Sequence, residues 1–121
     1  MAKSDKKKVR ETFRRAVLER DGYRCKICGE AGTDETLDPH HITPRVQMPS
    51  GGYVATNGIT LCKKAGGCHE KAEAYLNASD YMGYPFEELA ASLKDMFRPD
   101  ILYKLIGSSY TQAVKDSENL E

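Results

Sequence analysis

The three histidines of the chain fall in two places: His40 and His41 stand side by side in Asp38-Pro39-His40-His41-Ile42, and His69 follows directly on Cys68. The four cysteines bracket them as two pairs, Cys25/Cys28 and Cys62/Cys68. Imidazole and thiolate are donors that borderline divalent ions prefer, so the chemistry these residues point to is metal-based. On an extended strand consecutive side chains leave opposite faces, so His40 and His41 cannot easily serve one ion. One of them paired with His69 would leave coordination positions open for water or substrate, as at a catalytic metal, whereas four thiolates fill a tetrahedral structural site. Two metal sites with different tasks follow from the spacing. Glu73, four residues after His69, shares its helix face; an ordinary exposed glutamate is the preferred reading, a third or outer ligand the alternative.

Cys25-Lys26-Ile27-Cys28-Gly29 has the spacing and trailing glycine of a zinc knuckle. A redox Cys-x-x-Cys would want a helix opening at the first cysteine inside a βαβ unit, and Gly29 with the polar run 30–35 offers neither. The N-terminal lysines have no apolar stretch behind them and no segment approaches bilayer length, so neither a secretory signal nor a membrane association is expected. The expected setting is cytoplasmic, where four cysteines favour metal over disulfides.

The elements that must position these groups show in the periodicity. Val9, Phe13, Ala16 and Val17 predict a helix over residues 6–20, after a disordered stretch 1–5 and before the turn signal Asp21-Gly22. Residues 36–42 predict a short strand with Pro39 at an edge or at its start, and Ile59-Thr60-Leu61 the strand that returns. Between them residues 43–56, with Pro44, Pro49, Gly51 and Gly52, form a long loop of the kind that carries function. A helix is predicted from Cys68 to about Asn77. Further on, Pro85 opens a stripe of Phe86, Leu89, Ala90, Leu93 and Phe97, then Ile101, Leu102, Leu105 and Ile106 predict a short helix ended by Gly107, and residues 110–115 another. These C-terminal helices are expected to be core cover or an association surface, and Leu120-Glu121 a vector-derived scar.

At 121 residues and a mean hydropathy of −0.60 the chain suits one water-soluble globular domain, divided into a basic helix (6–20), a zinc-stabilised core (21–78) and a helical extension (79–119). The net charge of zero hides a gradient: residues 1–28 carry +6, residues 29–79 carry −2 and residues 80–121 carry −4. Lys3, Lys6, Lys7, Lys8, Arg10, Arg14, Arg15 and Arg20 could attract a phosphate backbone; a solvated helix face is the alternative.

Taken together, Arg20 to Gly29, Leu37 to Arg45 with its His40-His41, Asn57 to Cys62, and Cys68 to Lys71 resemble the HNH endonucleases, members of the ββα-metal or His-Me finger nucleases, over roughly residues 18–74. The resemblance implies an α+β fold: a ββα-metal core with zinc knuckles, an N-terminal helix and a C-terminal helical extension. It implies His40 and His69 as ligands of a catalytic ion, His41 as the base that takes a proton from water, and Asn57 as the residue that holds the loop and backbone at His41. Cys25, Cys28, Cys62 and Cys68 would bind structural zinc, although five residues separate the second pair where the family usually has about two, which makes Cys68 the least secure ligand. Arg14, Arg15, Arg45, Lys63, Lys64 and Lys71 are the candidate contacts to DNA. With two neutral imidazoles and no carboxylate, Mn²⁺ is expected above Mg²⁺, with Co²⁺ or Ni²⁺ as further options. The expected activity is hydrolysis of double-stranded DNA with low sequence selectivity, by nicking if the chain is a monomer or on both strands if it is a homodimer. The rival is a zinc-stabilised DNA-binding protein of the same fold without catalysis.

Overall fold

A computed structural model of the chain describes residues 3–64, 67–76 and 98–120. The first helix, α1 (Lys3–Arg20), starts three residues before the expected boundary, since lysines continue a helix well and Asp5 sits in its first turn, where the helix dipole favours a carboxylate. Its buried face is Phe13, Val17 and Leu18. This face lies on an antiparallel two-stranded ribbon, β1 (Leu37–His41) and β2 (Gly58–Cys62), whose register sets His41 opposite Gly58, His40 opposite Ile59 and Leu37 opposite Cys62. A Cβ at Gly58 would come within 2.5 Å of Val17 and 2.8 Å of Phe13, so the missing side chain is what lets α1 approach β2. Pro39 faces Thr60 in the middle of β1; in a two-stranded ribbon each strand has an outer edge, which is where a residue without an N–H is tolerated.

Three short 3-10 turns (Arg45–Gln47, Pro49–Gly52 and Ala55–Asn57) give the connection between the strands a fixed path. After β2 comes α2 (Cys68–Leu76), completing the strand, loop, strand, helix order. The predicted stripe from Pro85 to Phe97 lies outside the described residues. Two further helices follow. The first, α3 (Pro99–Ile106), opens on its proline and is closed by Gly107 at φ 72°, with the Gly107 and Ser108 amides donating back to Lys104 and Tyr103. The second, α4 (Tyr110–Glu118), is capped by Ser109, whose Oγ accepts from the Gln112 amide at 3.1 Å, and runs three residues past its expected end.

Leu18, Ile42, Ile59, Leu61 and Leu102 are all fully buried. Each contributes about 1.5–3 kcal/mol by leaving water, and the presence of Leu102 makes α3 part of the same core as the ribbon. Among the described residues no helix is long and apolar enough to cross a membrane.

Candidate active site

The adjacent histidines leave β1 in opposite directions. His40, 1% exposed, meets His69 and Glu73 from two consecutive turns of α2. Its Nδ1 lies 3.2 Å from Glu73 Oε1, and His69 Nε2 lies 3.5 Å from the same oxygen. The two rings stand 5.4 Å apart at 71°. One donor atom from each of the three residues falls within 4.8 Å of the others. Both ring nitrogens of His40 are buried, and beyond the approach of Nδ1 to Glu73 neither has a hydrogen-bond partner among the described residues; an ion held by one of them would offset a cost of about 1–3 kcal/mol. The two imidazoles, His40 first, hold the Glu73 carboxyl well below the usual carboxylate range. On its other side His69 presents Nδ1 to Asp38 Oδ2 at 3.4 Å, an orientation that turns Nε2 towards His40 and Glu73. Two imidazoles and one carboxylate on one side, with the remaining positions open, fit a divalent cation of the borderline kind.

His41 points to α1 and the loop. Its ring lies 4.7 Å from Phe13, tilted by 33°, and 4.7 Å from Tyr53, edge to face. Burial first, then the charges of His40 and Arg45, push its pKa down to about 4, and its Nε2 is buried without a partner among the described residues. The imidazole is therefore neutral at physiological pH, with a lone pair to accept a proton.

Asn57, fully buried, ties the loop shut behind His41. Its Oδ1 accepts from the Thr43 amide at 3.0 Å, and its Nδ2 donates to the carbonyls of Thr43 and Gly52 at 3.1 and 3.2 Å. The Ile42 amide donates to the Asn57 carbonyl at 2.9 Å. The backbone just past His41 is thus gripped from both sides. Tyr103 of α3 completes the arrangement, its hydroxyl donating to Asn57 Oδ1 at 2.9 Å and lying 2.7 Å from Thr43 Oγ1.

All four cysteines are free, and their sulfurs lie within 4.8 Å of one another, with Cys28 Sγ 3.9 Å from Cys62 Sγ. Four thiolates at tetrahedral Zn–S distances would sit about 3.8 Å apart. The long second knuckle closes: the Gly67 amide donates to Lys64 O at 2.8 Å and the Cys68 amide to Cys62 Sγ at 3.3 Å. A Cβ at Gly67 would meet Lys64 O at 2.9 Å and Cys62 Sγ at 3.1 Å, so this turn depends on glycine. Burial and the neighbouring Cys25 push the Cys68 thiol up, the mutual repulsion that a shared cation relieves. The four cysteines could form a zinc site.

Residues 25–74 match the family model described as HNH endonuclease. Over this segment, 50 of the 121 residues, the chain is similar to the HNH endonuclease family. Comparison with curated proteins and with solved structures found no match. The matched segment encloses both metal-type clusters, and its two strands and helix are consistent with a ββα-metal fold; α1, α3 and α4 lie outside the match. HNH nucleases use metal ions and act on DNA.

The basic residues singled out in the sequence are distributed unevenly around the matched segment. Arg14 donates to Asp38 at 3.3 Å and to the carbonyls of Leu37 and Asp34, and Arg15 shares its surface with Glu11 and Asp34. Lys63 lies 3.7 Å from Asp38, and Lys64 pairs with Glu30 at 2.6 Å. Lys71 is exposed on α2, and Arg45 reaches Tyr53 Oη at 2.8 Å. Arg20 is consumed in the fold, donating to Asp21 and to the carbonyls of Ala55 and Gly58. Glu73, read from the sequence as an ordinary glutamate in preference to a ligand, stands with His40 and His69 in a group that could hold an ion; its i+4 spacing from His69 was the available signal. Asp38, Tyr53 and Tyr103 had none, because their partners are distant in sequence.

Proposed function

We propose that this protein is a metal-dependent endonuclease that hydrolyses DNA phosphodiester bonds. The observation that carries the reading is the split of the histidine pair. His40 enters a three-residue cluster with its nitrogens otherwise unpaired, and His41 faces the other way as a neutral base. His40, His69 and Glu73 would hold the divalent ion, which supplies charge stabilisation at the phosphoryl group and the leaving 3′ oxygen. His41 takes a proton from the attacking water as its oxygen bonds to phosphorus and the P–O3′ bond breaks; the departing 3′ oxygen takes up a proton from solvent water, leaving a 5′-phosphate and a 3′-hydroxyl. Phe13 and Tyr53, whose own rings stand 5.6 Å apart, pack together against the imidazole, and Asn57 fixes the backbone that carries it, so that the lone pair needs little reorganisation. Two of the three ligands being imidazoles, Mn²⁺ is favoured above Mg²⁺ even with the Glu73 carboxylate in place.

One site per chain makes one cut per encounter, so a monomer nicks duplex DNA. The test is cleavage of supercoiled plasmid in Mn²⁺ by the zinc-loaded wild type and by His41→Ala. Open circle should accumulate before linear product with wild type, and the variant should lose about 100-fold or more in rate while still binding DNA and Mn²⁺. Binding without cutting by the wild type under any divalent ion would assign the protein instead to DNA binding alone.

A further inference from the structure

Between α1 and the loop after β1 runs a groove of about 480 Å³, lined by Lys6, Val9, Arg10, Arg45, Val46 and Tyr53 among others. Three of its lining side chains are cations, and no carboxylate lines it among the described residues. The neighbouring surface at Arg14 and Arg15, by contrast, is matched by Glu11 and Asp34. Lys6 and Arg10 are one turn apart on α1, about 6 Å along its axis, and both are exposed. The Arg10 guanidinium lies 5.7 Å over the ring of Tyr53, and Arg45 donates to the hydroxyl of that tyrosine. Tyr53 in turn packs edge to face on His41. One aromatic ring is therefore a wall shared by the cationic groove and by the imidazole of His41. At the lip stands Val46, 93% exposed, against 52% and 39% for Tyr110 and Leu105, the other exposed large hydrophobics among the described residues.

We propose that this groove binds the DNA backbone flanking the cut on the His41 side, Lys6, Arg10 and Arg45 each meeting phosphate oxygens and Val46 packing against the sugar and base edges of the duplex groove. The proposal rests on the nuclease reading and names the path the substrate takes to the site. A backbone is the occupant the lining selects, because cations without internal counter-charges bind phosphates with release of condensed counterions. A β-branched side chain held in water beside them matches the apolar contact that proteins press into a DNA groove. Stacked and hydrogen-bonded on Tyr53, the two arginines are also pre-organised for phosphate.

The experiment is binding of a fluorescent DNA duplex to the zinc-loaded full chain without added divalent ion, from 50 to 200 mM NaCl. Lys6→Gln/Arg10→Gln should weaken binding about tenfold and reduce the salt slope by about 2, with Lys6→Gln alone reducing it by about 1. Val46→Ser should weaken binding about threefold with the salt slope unchanged, as loss of an apolar contact does. Lys104→Gln/Lys115→Gln, with the same change in charge on α3 and α4, should bind as wild type. The single Lys6→Gln, at an exposed position, keeps the test valid if the double variant folds poorly. Binding by Lys6→Gln and by the double variant within twofold of wild type, at an unchanged slope, would overturn the proposal. Plasmid cleavage separates the two readings. A wild type that never cuts, with groove variants that lose DNA, removes the nuclease and keeps the groove; a wild type that cuts, with groove variants that bind and cut undiminished, removes the groove alone.

Discussion

At the scale of single residues, two neighbouring histidines of identical chemistry are made different by what each side of a strand presents. His40 meets an imidazole and a carboxylate, whereas His41 meets two aromatic rings and is driven down to about 4. The division was legible in the alternation of a strand, and Pro39 does not disturb it at these two positions. What spacing could not decide was Glu73, because an exposed i+4 glutamate and a ligand look alike until His40 is brought across from β1. A charged ligand changes the ion's environment more than a neutral one. Glu73→Gln should therefore weaken Mn²⁺ binding to the zinc-loaded protein by about 100-fold, while His41→Ala leaves it within a few-fold. Titration calorimetry reads this directly, and an unchanged affinity in Glu73→Gln would remove the carboxylate from the ion site.

At the scale of elements, α1 is fastened to the ribbon by its last residue and the one after it. Asp21, its side chain 2% exposed, accepts from the Thr60 amide of β2 at 2.9 Å, and Arg20 bridges Asp21 to the carbonyls of Ala55 and Gly58. Burial raises the Asp21 carboxyl, but the hydrogen bonds from Arg20 and Thr60 outweigh it, so in the fold it titrates below its ordinary 3.8. A carboxyl depressed by folding contributes stability that is complete above the ordinary value and is lost as pH falls through it towards the folded value. Asp21→Asn should accordingly cost about 1–3 kcal/mol at pH 7 and lose less than wild type on going from pH 5 to pH 3. Denaturant melts at the three pH values check it, and parallel losses in the two proteins would count against the fastening. The strands, α2 and the two C-terminal helices were legible because period and caps are local signals. The link from α3 to Asn57 was not: Tyr103 and Asn57 are 46 residues apart, and nothing in the spacing of Leu102 and Leu105 announces a hydroxyl aimed at the loop. A helix expected to be core cover or an association surface thus holds, through Tyr103, the residue that grips the backbone after His41.

At the scale of the whole molecule, the cysteine cluster is the point where the parts are joined. Cys25 and Cys28 follow α1, Cys62 ends β2, and Cys68 begins α2, one residue before His69. Zinc shared by these four sulfurs would fix the start of α2 against the ribbon and so set the distance from His69 to His40. Structural zinc in small domains contributes on the order of 10–16 kcal/mol at neutral pH, as much as a whole domain's net stability. A chelator strong enough to take this ion should therefore abolish the cooperative thermal transition and not merely lower its midpoint, with about one zinc released per chain in a dye assay. Because His69 would lose its place as α2 detaches, Mn²⁺ added to the zinc-free chain should fail to restore cleavage, and zinc followed by Mn²⁺ should succeed. A zinc-free protein that melts at the original temperature, or that cuts DNA in Mn²⁺ alone, would show that the ribbon and helices carry the site without the cluster.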